Sequence, residues 1–266
     1  MYNEKLISII MGIYNCADTL ENAVNSIINQ TYTNWELIMC DDGSSDDTYK
    51  IALELANKDS RIIVLKNENN MTLAPTLNKC IDYAKGEYIA RMDGDDVCSN
   101  KRFQKEYDFL ESHSEYAFVS CLMEIYDDNG IYNVINYKEI PNKYDLVKES
   151  QFCHAGCMIR KDALLKVNCY TIDSKHCRVE DYDLWFKLYK NGYKGYNLQE
   201  VLYSMRDDRN AFKRRNINNR LNEARIQSEV ISNFNLSIVN YIYPFITLLK
   251  CLVPNFIYTS IHKNRK

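Results

Sequence analysis

Asp93, Asp95 and Asp96 fill three of four consecutive positions in the stretch RMDGDD. Carboxylates this close raise one another's pKa unless a cation lies between them. Mg2+ and Mn2+ want oxygen ligands and accept a carboxylate or two together with phosphate oxygens and water. Gly94, between the acids, is expected to let the backbone bend and a bulky phosphate approach. The competing reading is a solvated turn, since turns are rich in Asp and Gly. A second acidic stretch, CDDGSSDD, spans residues 40–47. Asp46, Asp47 and the two serines fit a turn and a helix cap. Asp41 and Asp42 come before that cap, where a carboxylate can accept hydrogen bonds from a nucleobase edge or a ribose. A third cluster, VEDYDLWFKL, contains Glu180 and Asp181. They either serve a helix N-terminus, where negative charge is stabilised by the dipole, or include a general base, which needs surroundings that raise its pKa.

These clusters need elements to hold them. KLISIIMGIYN is a short continuous apolar run, the pattern of a strand covered on both faces. ADTLENAVNSIINQ has Leu20, Val24, Ile27 and Ile28 at helical spacing, with Asp18 as a candidate cap. WELIMC is a second strand, and SSDDTYKIALELANK a helix with Ser44 or Ser45 as cap. RIIVLKN is a third strand. LAPTLNKCIDYAKG is a helix with Pro75 in its first turn and Gly86 beyond its end. EYIARM is a fourth strand and delivers the chain to RMDGDD. Strands alternating with helices predict parallel pairing and right-handed crossovers. Ligands of such sheets bind beyond the carboxyl ends of the strands, so the polar clusters after the first, second and fourth strands are expected on one rim.

The second half is less regular. NKRFQKEYDFLESH reads as a helix, and two strand-like runs flank the turn DDNG as a hairpin. CHAGCMIRKDALLKV reads as strand then helix, VEDYDLWFKLYKNGY as a helix, and YNLQEVLYSMRDD contains a strand. Residues 210–233 read as a polar, basic helix. The final segment is strongly apolar but interrupted by Asn240, Pro244, Lys250 and Pro254. A transmembrane helix needs about 20 uninterrupted apolar residues. Two short amphipathic helices hinged near the prolines are expected instead, either packed on the rest of the chain or docked on anionic lipid.

The chain has 266 residues, enough for one large domain with an appendage, and nearly half are apolar. A formal charge of -3 gives no pull toward nucleic acid, although basic residues gather in KRRNINNR and HKNRK. The 10 cysteines contain no C-x-x-C pair and are expected as buried thiols. A zinc site among Cys153, His154, Cys157, Cys169, His176 and Cys177 matches no common spacing. The N-terminus carries no signal-peptide pattern, so a cytoplasmic protein is expected. G-x-G-x-x-G is absent, which disfavours a dinucleotide enzyme. The loop after the first strand lacks the glycines and cation a nucleotidyltransferase would use.

Taken in order, ISIIMGIYN, SIINQTYTNWELIMCDDGSSDDT, LNKCIDYAKGEYIARMDGDD, HAGCMIRKDAL and EDYDLWFKL followed by EVLYSMR resemble a bacterial family 2 glycosyltransferase over roughly residues 5–210. The resemblance implies an α/β fold of the Rossmann-like GT-A type, a mostly parallel central sheet with helices on both faces and a C-terminal helical extension. It divides the chain into a catalytic domain, 1–209, with a nucleotide-sugar half to about 98 and an acceptor half from 99, and an extension, 210–266. It implies an inverting transferase working with Mn2+ or Mg2+. The donor would be a nucleotide sugar, a UDP-sugar first, and the acceptor a saccharide or lipid-linked saccharide of a surface polysaccharide. By that resemblance Asp42 contacts the base, and the backbone at Ile13 and Tyr14 lines its pocket. Asp95 is the principal metal ligand, with Asp93 assisting at the diphosphate. Asp181 is the base, with Glu180 beside it. His154 borders the acceptor, and Arg206 helps the diphosphate leave. Gly12 stands where the family has proline and is expected to loosen that turn. Ala155 also replaces a proline. A non-catalytic nucleotide-sugar-binding or scaffold protein on the same fold is the alternative.

Overall fold

The computed structural model describes residues 4–207 and 217–250. Its strands are β1 (Ile7–Ile13), β2 (Trp35–Asp41), β3 (Ile62–Lys66), β4 (Tyr88–Arg91), β5 (Val97–Cys98), β6 (Phe118–Asp127), β7 (Gly130–Ile135), β8 (Met158–Arg160) and β9 (Gly195–Arg206). Its helices are α1 (Leu20–Ile28), α2 (Thr48–Lys58), α3 (Leu73–Tyr83), α4 (Arg102–Ser112), α5 (Lys143–Leu146), α6 (Lys161–Lys166), α7 (Glu180–Lys190), α8 (Ile217–Asn233) and α9 (Ile242–Leu249).

One sheet runs β3-β2-β1-β4-β8-β6-β9-β5, with β7 pairing β6 off this path. β1 is parallel to β2 and β4, and β2 to β3, so the first part of the chain matches the expected parallel arrangement. The sheet then becomes mixed. β8 is antiparallel to both β4 and β6, while β6 and β9 pair in parallel. β1 is the point where the chain order reverses, with β2 on one side and β4 on the other, the place where open α/β sheets open a crevice.

The apolar runs of β1 and β2 are explained by what covers them. Ile7, Ile9, Met11 and Ile13 face one core with α1, α2 and α4. Ile10, Ile38 and Cys40 face a second, filled by α3, α6, α7 and the inner stripe of α8, Ile226, Val230 and Ile231. Arg102 is fully buried and ties the acidic end of the sheet together. It pairs with Glu106 at 3.0 Å and donates to the carbonyls of Arg91 (2.9 Å) and Cys157 (3.2 Å), clamping β4 to β8.

Several local expectations are corrected. Asp18 does not cap α1, and Ser44 and Ser45 do not cap α2; Thr19 and Asp47 hold those positions without side-chain caps. Ser44 Oγ instead accepts from Asn15 N, and Ser45 N donates to Asn15 Oδ1 at 2.9 Å, joining the loops after β1 and β2. Gly12 does not loosen a turn. It stays within β1 opposite Cys40, where a Cβ would lie 3.2 Å from Leu73 Cδ1. Pro244 is no hinge between helices; it sits in the first turn of α9, where its missing N–H costs nothing. Pro254 lies outside the described residues.

Candidate active site

The loops after β1, β2 and β4 meet the start of α3 at a cleft of about 1600 Å3. The β6–β7 turn with Asp127 and Asp128, the loop between α6 and α7, Glu180, Arg206, Asp207 and the first turns of α8 supply the rest of its wall. Parallel register brings this about: Ile13 pairs Asp41, and Ile10 pairs Arg91, so the three strands end at the same rim.

The acids of RMDGDD have different surroundings. Asp93 forms an ion pair with the buried Arg91, and Asp95 is exposed. Asp96 is buried and accepts from Tyr203 Oη (2.7 Å) and Arg206 N (2.8 Å). Burial, then the charges of Asp93 and Asp95, push the Asp96 carboxyl up to about 8. Tyr203 Oη also accepts from Asp93 N, so a single hydroxyl sets the spacing of two of the acids. Gly94 has a different use from the one expected. A Cβ there would lie 2.9 Å from Cys16 Sγ and 3.1 Å from Ile13 Cγ2, so glycine lets the loop pack against the end of β1. Carboxylate oxygens of Asp93, Asp95 and Asp96 lie within 4.8 Å of one another. A set of hard oxygen donors that repel one another fits a divalent cation such as Mg2+ or Mn2+. Among the described residues no such group forms from Cys153, His154, Cys157, Cys169, His176 and Cys177, which removes the zinc reading. The described cysteines are all free thiols.

Asp42 lines the cleft, but its carboxylate already holds the wall beside it. Oδ1 accepts from Asn67 Nδ2 (2.9 Å) and Met71 N (2.8 Å), and Oδ2 from Thr72 N (3.0 Å). Ile13 and Tyr14 line the same end, with the Tyr14 ring half exposed. Glu180 also lines the cleft; burial first, and Asp181 second, raise its pKa. Asp181 does not line the cleft. It is half-buried, Ser150 Oγ donates to its Oδ2 at 2.9 Å, and burial raises its pKa against that bond. His154 is likewise absent from the cleft wall. Its Nε2 meets Tyr170 Oη at 2.8 Å, and burial and Arg91 hold it neutral. Arg206 lines the cleft, with Nη2 3.4 Å from Asp128.

Reading the sequence alone missed Arg91, Tyr203 and Asp96 as the frame of the acidic loop. One signal was available: an arginine inside the apolar run EYIARM must find a buried partner. The α8 residues of the wall carried no local signal, since only the tertiary fold brings them there.

The model of glycosyl transferase family 2 matches residues 8–167. The chain is 38% identical to EpsE of Bacillus subtilis, over 97% of this chain and 94% of that protein. It belongs to glycosyltransferase family 2. A second relative of this glycosyltransferase is Escherichia coli WfaP, named a UDP-Glc:alpha-D-GlcNAc-diphosphoundecaprenol beta-1,3-glucosyltransferase. The two are 33% identical over 74% of this chain and 75% of WfaP. In fold the transferase resembles the mannosyltransferase PcManGT of Pyrobaculum calidifontis, solved with GDP-Man and Mn2+. That match has a TM-score of 0.68 at 15% identity, covering 98% of this chain and 80% of that one. The mixed α/β sheet is thus the GT-A arrangement.

Proposed function

We propose that this glycosyltransferase moves a sugar from a UDP-sugar to a hydroxyl of a saccharide or lipid-linked saccharide, with inversion, in the assembly of a bacterial surface polysaccharide such as capsule or lipopolysaccharide. The observation that carries the reading is the meeting of Asp42, the acidic loop and Glu180 around one cleft at the carboxyl ends of β1, β2 and β4. WfaP supports the choice of uridine nucleotide and of a lipid-linked acceptor. The base and ribose occupy the end formed by Ile13, Tyr14 and Asp42. Asp95 and Asp93 would hold Mn2+ or Mg2+, which would neutralise diphosphate charge. Arg91 holds Asp93 in place through their ion pair. Asp181 takes the acceptor proton as that oxygen attacks the anomeric carbon from the face opposite the leaving group, and a single displacement inverts the centre. His154, neutral and bonded to Tyr170, shapes the acceptor side, while Arg206 meets the leaving diphosphate. Residues 1–209 form the catalytic domain in this reading, and 210–266 an extension whose first helix completes the cleft. The test is a transfer assay with a nucleotide-sugar panel, Mn2+ and a lipid-linked saccharide acceptor. Sugar transfer with inverted configuration is expected, whereas nucleotide-sugar binding without turnover would favour the scaffold alternative.

The reading also places the protein in the cytoplasm, peripherally on the inner face of the cell membrane. No helix among the described residues is long and apolar enough to cross a membrane. Ile242, Phe245, Ile246 and Leu249 are exposed on one face of α9, beside exposed Ile238 and Val239. From Val230 to the end the chain has no acidic residue, while Lys250, Lys263, Arg265 and Lys266 are basic. An apolar face with basic flanks suits an anionic lipid surface. Full-length protein is expected to float with anionic liposomes, and the Val239→Asp/Phe245→Asp variant to stay in the soluble fraction. Equal flotation of the two would remove α9 as the contact.

A further inference from the structure

The cleft wall carries many carboxylates, and two of its arginines are engaged, Arg91 by Asp93 and Arg206 by Asp128. Arg178 also lines the cleft, is exposed, and makes no hydrogen bond or ion pair from its guanidinium among the described residues. Its backbone has φ +66°. Left-handed backbone is costly for a long side chain and persists where the surroundings over-determine it, commonly at functional sites. Asn15 and Thr72, with φ +49° and +75°, line the same cleft, so the strain is shared around it.

The surroundings of Arg178 do over-determine it. Asn222 Nδ2 of α8 donates to the carbonyls of Ser174 (3.0 Å) and Cys177 (3.1 Å), which fixes the peptide leading into Arg178. His176 lies 2.7 Å from Asp173 and 3.7 Å from the buried Asp183, pinning the same loop to α7. Val179 N donates back to His176 O, closing the turn. Two residues further on comes Glu180, whose pKa burial and then Asp181 raise, with the Arg178 charge opposing them in part. A loop held from two helices, with a strained residue presenting an unengaged guanidinium to a cleft, is pre-organised for an anion.

We propose that Arg178 binds the phosphates of the nucleotide donor and stays with the diphosphate as it leaves. The proposal rests on the donor reading given above and goes beyond it in adding a second cation, besides Arg206, at the phosphates. Guanidinium matches phosphate geometry bidentately, and a charge-assisted contact of this kind is worth roughly tenfold or more in affinity.

The test is calorimetric titration of full-length wild type, Arg178→Gln, Arg178→Lys and Arg178→Gly with UDP, CDP, GDP, ADP and dTDP, and with the nucleoside of the tightest binder. Arg178→Gln is expected to weaken the diphosphate about tenfold and leave the nucleoside unchanged, with partial recovery in Arg178→Lys. Arg178→Gly relieves the backbone strain, so its thermal midpoint should hold or rise while diphosphate affinity falls. Unchanged diphosphate affinity in Arg178→Gln overturns the proposal. A Gly variant that loses midpoint and nucleoside affinity together overturns it too, since Arg178 would then be structural. A wild-type protein that binds no nucleotide would instead defeat the donor reading, and this proposal with it.

Discussion

Replacing Asp95 by alanine is expected to abolish the Mn2+-dependent part of UDP affinity while leaving the thermal midpoint close to that of the wild type. Asp95 is the exposed member of the acidic trio. Asp93 is paired with Arg91, and Asp96 is buried between Tyr203 and the Arg206 backbone. Removing Asp95 takes away the exposed acid of the cluster, while the bonds of Asp93 and Asp96 to Tyr203 and Arg206 that hold the loop to β9 stay in place. Metal stabilisation of phosphate charge is worth several kcal/mol, and one kcal/mol and a half is about tenfold, so a loss of at least about a hundredfold is expected. Calorimetry with and without Mn2+ measures it. A variant that binds UDP plus Mn2+ as tightly as wild type would show that the ion, if bound, is held elsewhere. Asp96→Ala is the informative contrast. It opens the bonds to Tyr203 and Arg206 and should lower the thermal midpoint as well as the affinity.

The parts legible in the sequence were those fixed by local pattern. Buried strands such as β1 and β2 are uninterrupted apolar runs, and α1 and α3 show a clear inward stripe, so the parallel half and its rim followed. The mixed half did not follow as readily. β9 was legible as a strand, but its pairing with β6 spans more than seventy residues of chain, and β5 is only two residues long, so neither that pairing nor β5 leaves a local signal. Caps failed for a related reason. Ser44 and Ser45 have the chemistry of a cap, but tertiary contact with Asn15 claims them first. At the site, the acids were visible and their fates were not. Whether Asp93, Asp95 or Asp96 is free to meet a ligand depends on Arg91, Tyr203 and Arg206, two of which arrive from a strand over a hundred residues away.

The largest loss of turnover is expected for Asp181→Asn, which keeps the shape of the side chain and removes its basicity. Transfer should fall at least about a hundredfold while donor affinity stays within a few-fold, because a general base supplies roughly a hundred- to ten-thousandfold in rate and touches the acceptor rather than the nucleotide. The rival base is Glu180, which lines the cleft where Asp181 does not. The pH profile separates them. A base works when deprotonated, and burial raises the Asp181 pKa, so the transfer rate should climb with pH through a value above that of an ordinary aspartate. Ser150 Oγ donates to Asp181 and lowers its pKa against that burial. Ser150→Ala removes the largest of the interactions that oppose burial, so the rising limb should move to higher pH. Ser150 is not among the groups that shift Glu180, which would not move in this way. Steady-state transfer rates across pH for wild type, Ser150→Ala, Asp181→Asn and Glu180→Gln measure this directly. If Asp181→Asn turns over within a few-fold of wild type and Glu180→Gln does not, the proton goes to Glu180, and Asp181 is left as the carboxylate that Ser150 holds at the start of α7.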